Sequence, residues 1–220
     1  YNGISHSNHS KIGASDKYAY RQKVGIPDHC KLVVGAIGRM TADREPWTYL
    51  PIFKEIAKEF GQDVHFLLAG GGSELNRMRS LAVDHGLEGQ VHFPGEVNEP
   101  TMSLAIMDLY ISINVGRVTG LAGMEAAMYG VPVIAMQWIK GYYAVPEDWI
   151  WSSTNQLEVA KRSCELLNST ASLRLLGRKQ KFYVQRNHTI EAMAISYYDM
   201  YKATIDGCQS SYKNVNRDFI

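Results

Sequence analysis

Several common features are absent from the sequence, and each absence excludes a class of protein. There is no apolar run of the roughly 18–20 residues that a membrane-spanning helix needs, and no Asp-x-Asp that could hold a metal-bound diphosphate. The formal net charge of the 220-residue chain is only +1, so no global field attracts it to nucleic acid. We therefore expect no nucleic-acid partner, no metal ion and no cofactor.

Cysteine is sparse, and the N-terminal residues carry no secretory pattern. Cys30, Cys164 and Cys208 are far apart and form no Cys-x-x-Cys pair, which argues against structural zinc and is typical of a reducing compartment. The N-terminal stretch lacks the charged start and apolar core of a signal peptide. We therefore expect a cytoplasmic protein.

What the sequence does contain is an alternation of strand-like and helix-like patterns. Apolar runs lie at 31–37, 64–69, 90–94, 108–113 and 131–135, with helical periodicity between them. This alternation predicts an α/β fold in which helices cover both faces of a parallel sheet. The expected helices lie at 18–25, at 48–60, after an N-cap at Ser73, at 100–107, around Glu125, at 155–168, at 171–186 and at 189–205.

Composition divides the chain into one domain with two polar ends. Residues 1–17 are polar and rich in Ser and His, and the stretch after Gly207 is also polar. We expect a linker or tail at 1–17, a single domain at 18–206 and a second tail at 207–220.

Glycines follow three of the predicted strands. Gly38 follows the first strand, Gly70, Gly71 and Gly72 follow the second, and Gly95 follows the third. Parallel sheets bind ligands at the carboxyl ends of their strands, so this placement favours a ligand-binding edge. The alternative is that the glycines only form tight turns between strands and helices.

Glu125 is the polar residue that the apolar pattern around it does not explain. It lies on a short helix between Met124 and Ala126, downstream of Gly116 and Gly120. A carboxylate that faces a glycine-lined site is suited to accept hydrogen bonds from the paired hydroxyls of a ribose. The alternative is an ordinary exposed helix glutamate.

The segment around Glu125 resembles a known signature. The pattern G-L-x-x-x-E-A-x-x-x-G-x-P-V-I is similar to that of the group 1 nucleotide-sugar glycosyltransferases of GT-B fold. The resemblance implies a Rossmann-like three-layer sandwich with a parallel sheet, the C-terminal half of such an enzyme, in which Glu125 holds the donor ribose. The matching positions are Gly120, Leu121, Glu125, Ala126, Gly130, Pro132, Val133 and Ile134.

Two arginines follow Gly38 beyond the first predicted strand. The planar guanidinium forks of Arg39 and Arg44 suit phosphate oxygens. The family pattern here is G-R-L followed by a Lys four residues further on. Arg44 falls at that position or one residue from it, depending on the loop, and Glu45 stands where the family has Gly. The resemblance implies that the pair binds the donor diphosphate and stabilises it electrostatically as the leaving group. The alternative is that both are solvated loop residues.

Two further stretches resemble the family. The run 67–72 is similar to a strand that ends in G-x-G, which implies that the backbone at Gly70 and Gly72 approaches the nucleotide. The run 91–97 is similar to V-x-F-x-G-x-V, which implies that backbone groups near Val97 help to form the base pocket. His92 lies within this run, and we expect it to face solvent.

The sugar half of the family site is altered. Arg117 stands where the resembled pattern has the first Glu of an E-x7-E pair, and the G-G-x-P-E segment that normally follows later is absent. A guanidinium would be a bidentate partner for an acidic sugar. Arg117 therefore predicts either an anionic donor sugar or a decayed sugar site.

The resemblance implies a retaining, metal-independent glycosyltransferase donor domain of hexosyltransferase type. It would bind a nucleotide-diphosphate sugar for transfer to a saccharide or lipid-linked acceptor, as in cell-surface polysaccharide or glycoconjugate synthesis. An N-terminal acceptor domain is expected as its partner, so the isolated chain should be inactive. The alternative is a non-catalytic nucleotide-binding module with a decayed sugar site.

The predicted helix at 171–186 is basic. Arg174, Arg178, Lys179, Lys181 and Arg186 all fall on it. The first interpretation is a solvated face. The alternative is a peripheral membrane contact, which would place a full-length enzyme at the inner face of the membrane.

Overall fold

A six-stranded parallel sheet forms the centre of the protein. The computed structural model describes Ile4 and residues 12–98, 100–113, 121–136 and 152–205. The strands are β1 (Leu32–Ile37), β2 (Val64–Ala69), β3 (Val91–Gly95), β4 (Leu109–Ile113), β5 (Val133–Met136) and β6 (Ser152–Ser153). The helices are α1 (Ala14–Lys23), α2 (Tyr49–Phe60), α3 (Leu75–Asp84), α4 (Thr101–Ala105), α5 (Leu121–Tyr129), α6 (Gln156–Leu167), α7 (Thr170–Asn187) and α8 (Ile190–Ile205).

The strand order places a topological switch at the centre of the sheet. The order is β3-β2-β1-β4-β5-β6, and the described strand pairs are parallel. The chain winds outward from β1 to β3, returns to the other side of β1 as β4, and winds outward again. A crevice is therefore expected beyond the carboxyl ends of β1 and β4.

Helices cover both faces of the sheet and bury its apolar residues. In one helix group α2 packs against α6, and in the other α5 packs against α4 and α7. All six residues of β2 are buried, and Phe66 of this strand stacks on Phe53 of α2 with ring centroids 4.3 Å apart. The predicted α/β fold, a Rossmann-like three-layer sandwich, is thereby confirmed.

The predicted elements differ from the observed ones mainly at their ends. The strand predicted at 64–69 is confirmed residue for residue. The first helix begins at Ala14, inside the stretch 1–17 assigned to a linker, and it ends at Lys23 instead of residue 25. Ser73 is not the N-cap of α3, because the helix starts after Glu74 without a side-chain cap. The predicted tail at 207–220 lies outside the described residues.

Gly130 ends α5 as its position predicted. It has a φ of 82°, in the left-handed region that favours glycine. The N–H groups of Gly130 and Val131 donate to the carbonyls of Ala127 and Ala126, at 2.9 and 3.0 Å. These two hydrogen bonds close the end of α5, and the chain then continues directly into β5.

The prediction that His92 faces solvent is wrong. His92 is buried beside His65 of the neighbouring strand, and the Nε2 of His92 lies 2.9 Å from the Nδ1 of His65. Burial lowers the pKa of both imidazoles, that of His92 to about 4. Two neutral rings therefore share one hydrogen bond at neutral pH, an arrangement that the sequence of either strand alone does not reveal.

Helix α7 is fixed to the edge of β5 by a buried glutamine. Strand β6 pairs only with Ala135 and Met136, so it does not reach the beginning of β5. The side-chain amide of Gln180 fills that place, since its Oε1 accepts from the N–H of Val133 and its Nε2 donates to the carbonyl of the same residue, each at 2.8 Å. A Cβ on Gly177 would collide with the carbonyl oxygen of Gly130, so α7 also lies unusually close to the end of α5.

Among the described residues, no helix combines the length and the hydrophobicity that crossing a membrane requires.

Replacing Gln180 by Leu should destabilise the protein by about 2–4 kcal/mol, because two buried backbone groups of Val133 lose their partner. The exposed substitution Arg174→Leu on the same helix should change stability by no more than about 0.5 kcal/mol. Chemical denaturation of the two variants measures both values. Equal stabilities would show that water replaces the amide of Gln180.

Candidate functional site

A cleft of about 190 Å³ opens at the carboxyl ends of β1 and β4. Its walls come from the loop after β1, the start of α2, the end of β4 and the first turn of α5. This is the switch point of the sheet, where a ligand site is expected. The lining residues are Ala36, Ile37, Gly38, Arg39, Met40, Arg44, Pro46, Tyr49, Tyr110, Ser112, Ile113, Leu121, Ala122 and Gly123.

Two tyrosines, the buried Tyr110 and the partly buried Tyr49, bond to backbone groups where the strands separate. The Oη of Tyr110 donates to the carbonyl of Ile37 at 3.0 Å and accepts from its N–H at 3.2 Å. The Oη of Tyr49 accepts from the N–H of Ile113 at 3.4 Å. Burial raises the pKa of both phenols, that of Tyr49 to about 12. The phenols therefore stay neutral and satisfy backbone groups that the diverging strands leave unpaired.

Arg39 and Arg44 both lie at the cleft, as their position after β1 predicted. They share one counter-ion, because the Oδ2 of Asp43 is 3.7 Å from the Nη2 of Arg39 and 3.5 Å from the Nε of Arg44. The hydroxyl of Thr41 and the two guanidinium groups lower the pKa of Asp43. All three charged side chains are exposed, so an anion of higher charge can compete with Asp43 for the arginines.

The residue after Arg44 has an uncommon backbone conformation. Glu45 has a φ of 44° and a ψ of 51°, and it is the one residue other than glycine with a positive φ in the part of the chain that the structure describes. This left-handed conformation costs energy for a residue with a side chain. The backbone thus keeps the geometry of a glycine at the position where the resembled pattern has one.

Gly38 keeps the cleft open. A Cβ at this position would meet no atom within 4 Å, so no packing constraint demands a glycine here. Its N–H donates to the carbonyl of Ala69 at 2.9 Å, which fixes the backbone beside the two arginines. The absence of a side chain leaves space that a ligand can fill.

The amino end of α5 contributes the opposite wall. Leu121, Ala122 and Gly123 line the cleft, and the first N–H groups of a helix have no intrahelical acceptors. Gly123 packs beside β4, where a Cβ would make an ordinary contact with the Oγ of Ser112 at 3.5 Å. Helix N-terminus and arginines therefore face the same space, and both favour an anion.

Glu125 lies one turn further along α5 and is half-buried. It forms no hydrogen bond or ion pair within the described part of the chain, and it does not line the cleft itself. Burial raises its pKa, and its charge adds to the burial that raises the pKa of Tyr110. A partly desolvated carboxylate without a partner is costly, which favours a ligand donor over the exposed-helix interpretation.

The structure explains why positions 70 and 72 are glycines, which the sequence alone did not show. Their φ values are 144° and 149°, and a Cβ would collide with the carbonyl oxygens of Gly38 and Met40, respectively. The N–H of Gly70 donates to the carbonyl of Gly95 at 2.8 Å, so this group is already used. These glycines and Val97 do not line the cleft, and their contact with a nucleotide stays a prediction.

Two predicted site residues, Arg117 and Gly120, lie outside the described residues. Within the described ranges, no three His, Cys, Asp or Glu side chains come together as metal ligands, and metal independence remains a prediction. The sequence pattern missed Tyr49, Tyr110 and Asp43. The two tyrosines fall in apolar runs, whereas Asp43 could have been recognised as the acid between two arginines.

The fold is that of the GT-B glycosyltransferases. HepE of Anabaena, solved with UDP and glucose, superposes with a TM-score of 0.78 at 17% identity, covering 92% of this chain and 56% of HepE. Sucrose-phosphate synthase of Thermosynechococcus elongatus superposes with a TM-score of 0.74 at 20% identity, covering 94% of this chain and 52% of that structure. At these identities the likeness establishes the fold alone.

The chain belongs to the group 1 glycosyl transferases, whose family profile matches residues 31–169. The resemblance seen around Glu125 is thus confirmed, and the chain corresponds to the C-terminal domain of such an enzyme. A curated relative, alpha-monoglucosyldiacylglycerol synthase of Streptococcus pneumoniae, is 28% identical over 117 residues. That match covers 52% of this chain and 26% of the relative, so the chain spans a fraction of the proteins it resembles.

Arg39→Ala and Arg44→Ala should each weaken pyrophosphate binding roughly three- to tenfold, because each removes a charged fork. Arg39→Ala should weaken it more, and Asp43→Asn should strengthen it by removing the competing anion. Added salt should narrow all three differences. Isothermal titration with Lys54→Ala as a distant control measures them. Unchanged affinity in both arginine variants would place the anion elsewhere.

Proposed function

We propose that the chain is the donor-binding domain of a glycosyltransferase and that its cleft takes a nucleotide-diphosphate sugar. The observation that carries the proposal is the convergence of Arg39, Arg44, the open backbone of Gly38 and the amino end of α5 on one space. A diphosphate needs such a set of fixed positive groups. The UDP in the structure of HepE supports this choice of ligand for a domain of the same fold.

The proposed role of the positive groups follows from the charge that develops on the diphosphate during sugar transfer. When the bond between sugar and diphosphate breaks, the negative charge on the diphosphate increases. Arg39, Arg44 and the start of α5 line that space, so their positive groups would stabilise the leaving group once the diphosphate replaces Asp43 as the partner of the arginines. These groups transfer no proton, and the mechanism requires none from them.

Glu125 is proposed to hold the ribose of the donor. Its carboxylate lies on α5, one turn beyond the residues that line the cleft, and it lacks a partner among the described residues. Two adjacent hydroxyls would satisfy both of its oxygens. A diphosphate at the amino end of α5 and a ribose at Glu125 would thus bind along a single helix.

The acceptor is proposed to be a saccharide or a lipid-linked molecule, as in the synthesis of cell-surface polysaccharides or glycoconjugates. The activity of the curated relative, which its name assigns to a glucosylated diacylglycerol, supports a lipid acceptor. Closure of a second domain over the donor excludes water in such reactions. We therefore expect this chain alone to bind nucleoside diphosphates without robust sugar transfer.

A non-catalytic nucleotide-binding module is the second candidate. Arg117 and the absent G-G-x-P-E segment favour it, because both changes fall on the sugar half of the site. An assay of sugar transfer by the full-length protein separates the two functions. Nucleotide binding without transfer by that protein would support the module.

Glu125→Gln should weaken UDP binding by about 1–3 kcal/mol, because a charged acceptor for the ribose becomes neutral. Pyrophosphate lacks a ribose, so its affinity should not change. Titration of both ligands into wild type, Glu125→Gln and the surface control Glu88→Gln tests the assignment. An unchanged UDP affinity would make Glu125 a structural residue of α5.

Arg117 is proposed to select an acidic donor sugar. Wild type should bind UDP-glucuronate more tightly than UDP-glucose, because a guanidinium pairs with the sugar carboxylate. Arg117→Glu should reverse this order. Competition against labelled UDP measures both affinities, and the same order in the two proteins would exclude Arg117 as the selector.

A further inference from the structure

Helix α7 has a buried face and an exposed face, and the exposed face carries two large apolar side chains. Leu173, Gly177, Gln180 and Val184 face the domain. Leu175 and Phe182 are 70% and 66% exposed. At 100° per residue, they lie on the side of the helix opposite the buried stripe. We call the exposed side, with Leu175, Arg178, Phe182 and Arg186, the outer face of α7.

The outer face cannot turn inward. Gln180 is bonded to both backbone groups of Val133, and Gly177 lies against the carbonyl of Gly130. Rotation of α7 would break these contacts and leave buried polar groups unpaired. The exposure of Leu175 and Phe182 is therefore a fixed property of the domain.

The charge of α7 is of one sign. The helix carries five basic residues and no acidic residue. Arg178 and Arg186 lie on either side of the line from Leu175 to Phe182, and neither forms an ion pair with a described residue. On the preceding helix, Glu165 is engaged by Arg162 at 2.9 Å. The guanidinium groups are thus available for anions outside the domain.

We propose that the outer face of α7 docks on the surface of an anionic lipid bilayer. Leu175 and Phe182 enter the boundary between headgroups and acyl chains, and the long side chains of Arg178 and Arg186 reach the lipid phosphates on either side. Large apolar side chains flanked by basic ones match this boundary in depth and in charge.

The charge of the outer face also argues against a second copy of the chain as its partner. A symmetric dimer through this face would bring two helices of the same positive charge together without acidic residues between them. The proposal depends only on α7 and is independent of the ligand in the cleft. If the acceptor is a lipid, the contact would hold the domain at the membrane that contains it.

Flotation with vesicles of stated composition tests the proposal. We expect the 220-residue chain to bind phosphatidylcholine vesicles with about 30% phosphatidylglycerol at least tenfold more tightly than pure phosphatidylcholine vesicles. Arg178→Glu/Arg186→Glu and Leu175→Ser/Phe182→Ser should each lose at least tenfold of this affinity. The double variant Lys23→Glu/Lys54→Glu, with the same change in net charge on other helices, should lose less than threefold.

Control measurements on the same variants test whether they are folded and whether the outer face binds a different partner. All substituted side chains are exposed, so thermal unfolding and pyrophosphate binding should match wild type. No binding of wild type to anionic vesicles would overturn the proposal, as would an equal loss in the Lys23→Glu/Lys54→Glu control. Loss of self-association or of RNA binding in the α7 variants, with vesicle binding unchanged, would assign the outer face to another partner and also overturn it.

Discussion

The site depends on the separation of β1 and β4 at their carboxyl ends. Parallel strands normally satisfy each other's backbone groups, and separating them leaves those groups unpaired. The phenol of Tyr110 bonds to both backbone groups of Ile37, while Tyr49 accepts from Ile113. Two tyrosine side chains thus take over part of the hydrogen bonding of the ladder beside the cleft.

Backbone hydrogen bonds and close backbone contacts also order the loop beside the cleft. Gly70 and Gly72 have positive φ values that favour glycine, and their loop packs closely against the backbone of Gly38 and Met40. The N–H of Met40 donates to the carbonyl of Gly71 at 2.8 Å. The segment that carries the two arginines is therefore held by backbone contacts, and the exposed arginine side chains pair only with the exposed Asp43 among the described residues. The single carboxylate of Asp43 balances part of their charge.

Helix α7 packs against α5, one of the helices that line the cleft. Its inner face fits the end of α5 and the start of β5 through Gly177 and Gln180, and α5 in turn lines the cleft. Gln180 takes the place of a neighbouring strand beside Val133. Because both of its hydrogen bonds are buried, α7 must be positioned accurately for them to form. The position of α7 also fixes which of its residues are exposed, so the packing of its inner face determines which side chains form the outer face.

The sequence by itself determined the alternation of strands and helices, the edge of the sheet at which the cleft lies, and the family. Period and glycine placement are local properties, so β2, the cap at Gly130 and the arginines after β1 could be predicted from neighbouring residues alone. Only the tertiary structure decided the partners of polar groups that are distant in sequence. His92 faces His65, Tyr110 bonds to Ile37 and Gln180 completes the edge of β5. Each pairing joins residues 27 to 73 positions apart, and the register that brings them together is set by the packed sheet and not by the local sequence.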